Sequence, residues 1–140
     1  MSPKDIDVLV DAALQARANA YAPLSQYRVG AAVLCGSGKV YRGVNVEFAN
    51  FTNTIHAEEN AIGCAVAAGE TEFLAIAVAV GGDSPAWPCG LCRQSIYEIS
   101  KGRMLVIATA ENADRPRFTK IEALIPDGFG LYDIAAGKDS

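Results

Sequence analysis

Two short runs, His56-Ala57-Glu58 and Pro88-Cys89-Gly90-Leu91-Cys92, place the strongest constraint on what this chain can fold into. One imidazole and two thiolates form a ligand set that neutralises a single Zn²⁺. Glu58 follows the imidazole by two residues and is poorly placed as a fourth ligand, so one coordination position stays open. An open position separates catalytic zinc sites from closed structural ones. A carboxylate beside it can move protons while the cation activates water, which is the chemistry of hydrolysis. Any fold the chain adopts has to bring these two runs together.

The rest of the composition fits one domain over residues 1–140. That length, at 51% apolar residues, provides for a core without disulfides. The formal net charge is −4 and no basic run occurs, which argues against a nucleic-acid surface. Residues 1–5 lead into a helical pattern without a signal peptide, and no apolar stretch is long enough to span a bilayer. A cytoplasmic protein with neither membrane nor nucleic-acid partners is the expectation. Cys35 follows an apolar run and Cys64 lies among Ala61, Ile62, Ala65 and Val66, so both are expected to be core residues.

Residues 5–20 carry helical periodicity through Ile6, Leu9, Val10, Ala13, Leu14 and Ala18, and Ala22-Pro23 breaks it. Residues 27–34 and 39–46 read as strands joined by Gly36-Ser37-Gly38 into an antiparallel hairpin. A helix over 55–68 should end at Gly69, and the apolar run 73–80 should be a central strand buried on both faces. A helix over 89–100, a strand over 104–109 and a short last helix over 118–124 complete the pattern. Helices interleaved with strands predict an α/β fold: a three-layer α/β/α sandwich, with a mixed β-sheet flanked by helices. His56 with Glu58, and Cys89 with Cys92, then fall in the first turns of two helices, where free N–H groups and the positive dipole ends favour thiolate.

The pairing of H-x-E with P-C-x-x-C is the known pattern of zinc deaminases, and the chain resembles the short, single-domain cytidine deaminases over nearly its whole length. The resemblance runs through Tyr21-Ala22-Pro23-Leu24-Ser25, Val29-Gly30-Ala31-Ala32 and Gly43-Val44-Asn45-Val46-Glu47. It continues through both metal runs, Arg93-Gln94, and Leu124-Ile125-Pro126-Asp127-Gly128-Phe129-Gly130. It implies the cytidine deaminase-like fold, one Zn²⁺ per subunit held by His56, Cys89 and Cys92, and Glu58 as proton shuttle. It also implies Asn45 and Glu47 on the ribose hydroxyls and the Ala57 backbone N–H on the base carbonyl. Asn45 and Glu47 are two apart, so on a strand they would point the same way, and an amide with a carboxylate can serve a diol. Tyr27 matches a position beside base or sugar, and Phe129 one that reaches a neighbouring subunit's site in a homotetramer; either residue is equally readable as core. Arg93 is readable as a donor to a zinc thiolate or as an exposed helix arginine.

The chain departs from the short-family pattern at the first ligand. Relatives usually show Cys-Ala-Glu-Arg where this chain has His56-Ala57-Glu58-Glu59. Three thiolates leave zinc with excess negative charge that an arginine would offset; with His56 the set is neutral and Glu59 is tolerable. Phe48, Phe51 and Leu24 replace residues that are commonly polar, which either reshapes the pocket or changes packing alone. The expected reaction is hydrolytic deamination of cytidine and 2′-deoxycytidine to uridine and 2′-deoxyuridine, with ammonia release, in pyrimidine salvage. The alternative is a modified cytosine nucleoside such as blasticidin S, although Asn45 and Glu47 favour an intact ribose. A nucleic-acid editing deaminase conflicts with the acidity of the chain. A structural zinc module would need a fourth ligand, and a redox dithiol leaves His56 and Glu58 unexplained.

Overall fold

A computed structural model describes residues 1–139. The first helix, α1 (Pro3–Arg17), starts earlier than its apolar pattern suggests because Ser2 caps it. The Ser2 hydroxyl accepts from the Asp5 N–H at 3.2 Å and the Asp5 carboxylate accepts from the Ser2 N–H at 2.9 Å, with Pro3 just inside the helix. The hairpin follows as β1 (Gly30–Cys35) and β2 (Val40–Val44), antiparallel as expected and turned through Gly38, whose φ is 87°. Next come α2 (Ala57–Ala67), β3 (Phe73–Val80), α3 (Gly90–Ser100) and β4 (Leu105–Ala110).

The sheet order is β2-β1-β3-β4, closed on its far edge by β5 (Arg117–Lys120). The β3–β4 pair is parallel and the others antiparallel, so the sheet is mixed. Side-chain alternation divides the core into two layers. Ala31, Val33, Cys35, Ile76 and Val106 face α2 and α3, whereas Ala32, Leu34, Ala75, Ala77 and Ile107 face α1. This is the expected three-layer α/β/α sandwich, and β3 is its central strand.

Two glycines set how closely the layers approach. A methyl group at Gly30 would strike the backbone of Ala13 and Arg17 in α1, and one at Gly43 would strike Ala57 and Ala61 in α2. Gly43 therefore lets the first turn of α2 lie directly on β2, which sets the depth of the residues that begin that helix.

Two expectations need correction, and one element was absent from them. Residues 118–124 are not one helix: β5 supplies an edge strand, and only α4 (Ile121–Leu124) is helical. The unpaired edge of β4 accounts for this, because it offers ladder partners that outweigh weak helical periodicity. A further short helix, α5 (Leu131–Ala136), was not foreseen, and all its residues are exposed. Cys64 is exposed rather than core, since it lies on the outer face of α2 while Ala61, Ile62 and Ala65 turn inward. Cys35 is buried as expected, and burial with the nearby Glu70 charge pushes its thiol up to about 11.

Candidate active site

The sheet brings the ends of three strands to one edge. Gly30 pairs with both Val44 and Ala79, so Val29 and Asn45 lie just beyond their ladders, beside Val80 at the end of β3. The starts of α2 and α3 meet over this edge. His56 is the cap residue of α2 and Cys89 that of α3, with Cys92 one turn further on. Neither His56 nor Cys89 caps with its own side chain, so both side chains are free for other work.

Those side chains converge. His56 Nδ1 lies 3.4 Å from Cys89 Sγ and 3.3 Å from Cys92 Sγ, and the three ligand atoms fall within 4.8 Å of one another. Zinc–nitrogen bonds of about 2.0–2.1 Å and zinc–sulfur bonds of about 2.3 Å at a tetrahedral angle would separate N and S by roughly 3.6 Å. The donor set and its spacing therefore fit one zinc ion. Among the described residues no fourth histidine, cysteine or carboxylate joins the group, as a closed structural site would require. Burial, then the Glu58 charge, pushes the Cys92 thiol well above its ordinary range. Burial disfavours the Cys92 thiolate, and a cation beside it would favour that form.

Glu58 is only 5% exposed, and loss of solvent raises its carboxyl above the usual carboxylate range. A buried carboxyl whose pKa is raised holds a proton more readily than an exposed one, which suits a group that takes up and returns protons. Ala57, buried at the first helical position, belongs to the helix turn whose backbone N–H groups lack intrahelical acceptors.

His56, Ala57, Glu58 and Cys89 line one cavity of about 340 Å³, together with Tyr27, Asn45 and Glu47. Asn45 is buried, its Oδ1 accepting from the Val29 N–H at 2.9 Å and its Nδ2 donating to the Tyr27 carbonyl at 2.8 Å. Glu47 Oε1 accepts from the N–H groups of Leu24 (3.1 Å) and Ser25 (3.0 Å), and Oε2 accepts from the Ser25 hydroxyl. The Ser25 hydroxyl first, and then its N–H, hold the Glu47 carboxyl below its ordinary value.

Other candidates lie elsewhere. Phe129 does not line the cavity of its own chain; it is exposed and its carbonyl accepts from Gln94 Nε2 at 2.7 Å. Phe48, Phe51 and Leu24 are exposed and outside the lining, so the apolar replacements do not reshape this pocket. Arg93 donates to backbone carbonyls rather than to a thiolate, Nε to Pro88 at 2.6 Å and Nη1 to Leu124 at 2.9 Å. It thereby anchors the residue before Cys89 to the last residue of α4. Glu59 accepts from the Ser95 hydroxyl at 3.3 Å and so links α2 to α3.

Sequence reasoning passed over Thr54, Val78, Val80, Ala86, Trp87 and Ser25 in the cavity wall. Trp87, with the Arg117 guanidinium 5.7 Å from its ring centre, adjoins Pro88-Cys89, and that adjacency was the available signal.

Comparison with known proteins agrees with this geometry. Residues 3–108 match the family model described as the cytidine and deoxycytidylate deaminase zinc-binding region. The chain is 37% identical over 131 residues to the cytidine deaminase of Sporosarcina psychrophila, covering 94% of this chain and 96% of that one. It is 38% identical over 135 residues to the cytidine deaminase of Mycobacterium tuberculosis, covering 96% of each. The crystal structure of cytidine deaminase from Burkholderia pseudomallei superposes with a TM-score of 0.84 at 40% identity, covering 92% of this chain and 100% of that one. With a metal triad, a buried carboxyl and full-length relatives of one kind, the chain belongs to the cytidine deaminase family of zinc-dependent hydrolytic deaminases.

Proposed function

We propose that this protein is a single-domain cytidine deaminase that converts cytidine and 2′-deoxycytidine to the corresponding uridines and releases ammonia, in pyrimidine salvage. One observation carries the reading: the buried Glu58 shares a cavity with His56 and Cys89, two members of the His56, Cys89 and Cys92 group, and with Asn45 and Glu47, a pair suited to a sugar diol. A zinc ion held by His56, Cys89 and Cys92 supplies a Lewis acid that makes water acidic near neutral pH.

Glu58 takes a proton from the attacking water and delivers it to ring N3, which makes C4 electrophilic. The hydroxide oxygen adds to C4, giving a carbon that carries both hydroxyl and amine. Glu58 then moves the hydroxyl proton to the amine, the C4–N bond breaks, and ammonia departs as the C4 carbonyl forms. The N3 proton stays, as uridine requires. The Ala57 N–H holds the base carbonyl, Asn45 and Glu47 hold the sugar, and Tyr27 lies along the same wall.

We assign the protein to the cytoplasm and to a homotetramer. Among the described residues no helix is long and apolar enough to cross a membrane. Phe129, Leu131 and Tyr132 are 59%, 72% and 85% exposed, which suits burial against other copies, and in this reading Phe129 reaches a neighbour's site.

The reading is tested by ammonia release from zinc-loaded protein offered cytidine, 2′-deoxycytidine, adenosine and blasticidin S in parallel. Turnover of the first two alone is expected. Turnover of blasticidin S alone would replace the substrate assignment, and turnover of adenosine would overturn recognition of the cytosine ring.

A further inference from the structure

The loop over residues 22–29 makes hydrogen bonds to two residues whose side chains line the cavity. Its path depends on Gln26, a non-glycine residue at φ 58°, whose N–H donates to the Ala22 carbonyl at 2.9 Å. This turn aims successive backbone groups inward. Leu24 and Ser25 give their N–H groups to Glu47 Oε1, and the Ser25 hydroxyl donates to Glu47 Oε2. The same hydroxyl oxygen accepts from the Tyr27 N–H at 3.0 Å, and the Tyr27 carbonyl accepts from Asn45 Nδ2 at 2.8 Å. Among the described residues, the Ser25 hydroxyl is thus the one side-chain group whose hydrogen bonds connect Glu47 to the loop segment holding Asn45.

Counting valences shows what remains for a ligand. A carboxylate offers about four lone-pair sites and a carboxamide two donors and two acceptors. The loop occupies three sites on Glu47 and one donor and one acceptor on Asn45. Each residue keeps capacity for a hydroxyl group, in an orientation fixed before any ligand arrives. An unclamped glutamate would have to give up rotamer freedom on binding, and fixing it beforehand improves affinity without adding a contact.

We propose that Ser25 is the positioning residue of the sugar end of this cavity, its hydroxyl holding the Glu47 carboxylate in the orientation that reads the ribose hydroxyls. The inference rests on the assignment of Asn45 and Glu47 to the sugar made above, and adds a residue that acts through Glu47 rather than by touching the reacting atoms. It predicts a binding phenotype that depends on the sugar, which a purely structural serine would not produce.

The test measures KM and kcat for cytidine, and the inhibition constant of 2′,3′-dideoxycytidine, in wild type, Ser25→Ala and Ser25→Thr. Ser25→Ala should raise KM about tenfold, the order expected for loss of one hydrogen bond to a charged group, with kcat within about twofold. Binding of the dideoxynucleoside, which lacks both hydroxyls, should change less than about twofold, and Ser25→Thr should restore KM. In a Glu47→Gln background Ser25→Ala should add little, because its route of action is gone. Equal weakening for both nucleosides, a fall in kcat alone, or full additivity with Glu47→Gln would overturn the inference while leaving the deaminase reading intact. Absence of wild-type turnover of cytidine would remove both.

Discussion

Asn45→Ala offers a quantitative test of how the site is built, independent of turnover. The side chain is 8% exposed and makes hydrogen bonds of 2.9 Å and 2.8 Å to the backbone at Val29 and Tyr27. Truncation leaves an N–H and a carbonyl without partners. Each orphaned buried group costs about 1–3 kcal/mol, and the exposure of Tyr27 lets water relieve its carbonyl, so about 2–3 kcal/mol in total is expected. An unfolding entropy of about 2.1 cal/mol/K per residue over 140 residues gives about 0.3 kcal/mol/K. Ligand-free Asn45→Ala should therefore melt roughly 7–10 °C below wild type. The assay is circular dichroism at matched protein and zinc concentrations, because association and metal binding both shift Tm. A fall of less than about 2 °C would refute the claim that this amide holds the loop to the sheet edge.

Cys89→Ala should lose stoichiometric zinc by elemental analysis and melt lower than wild type, since metal binding adds directly to folded-state stability; retained zinc would refute the assigned ligand. Glu70 accepts from the hydroxyls of Ser37 and Tyr41, both at 2.7 Å, and these hold its carboxyl below its ordinary value of 4.5. A folded-state carboxyl below its unfolded value contributes stability above pH 4.5 that is lost as pH falls through the folded value. Glu70→Gln should thus flatten the acid limb of stability against pH, and an unchanged limb would contradict the coupling.

The parts of the fold legible in the sequence are those with two-sided burial or fixed turn chemistry. Phe73–Val80 reads as a central strand because its run is apolar throughout, and Gly36-Ser37-Gly38 marks the hairpin. The metal triad is legible because its ligand types and spacing state their chemistry. The start of α1 was obscured because Ser2 and Asp5 cap it with polar atoms ahead of the apolar pattern. Helix α5 carries apolar side chains that stay exposed, Leu131 and Tyr132 most of all, so periodicity had no buried face to follow. Cys64 was misplaced because a helix as alanine-rich as α2 gives little contrast between its faces. Ser25 and Arg93 were obscured for a different reason. Their partners, the Glu47 carboxylate for Ser25 and the Pro88 and Leu124 carbonyls for Arg93, are brought to them by the fold, which residue identity does not encode.

The most direct test of the account is zinc content and ammonia release measured together on Glu58→Gln. The substitution keeps the shape of the side chain and removes its ability to carry a proton. The account predicts zinc retained at one ion per chain with cytidine turnover reduced by about 10²–10⁴-fold, the range for loss of a general acid–base. Near-normal turnover with zinc in place would contradict the role of Glu58 and the mechanism built on it.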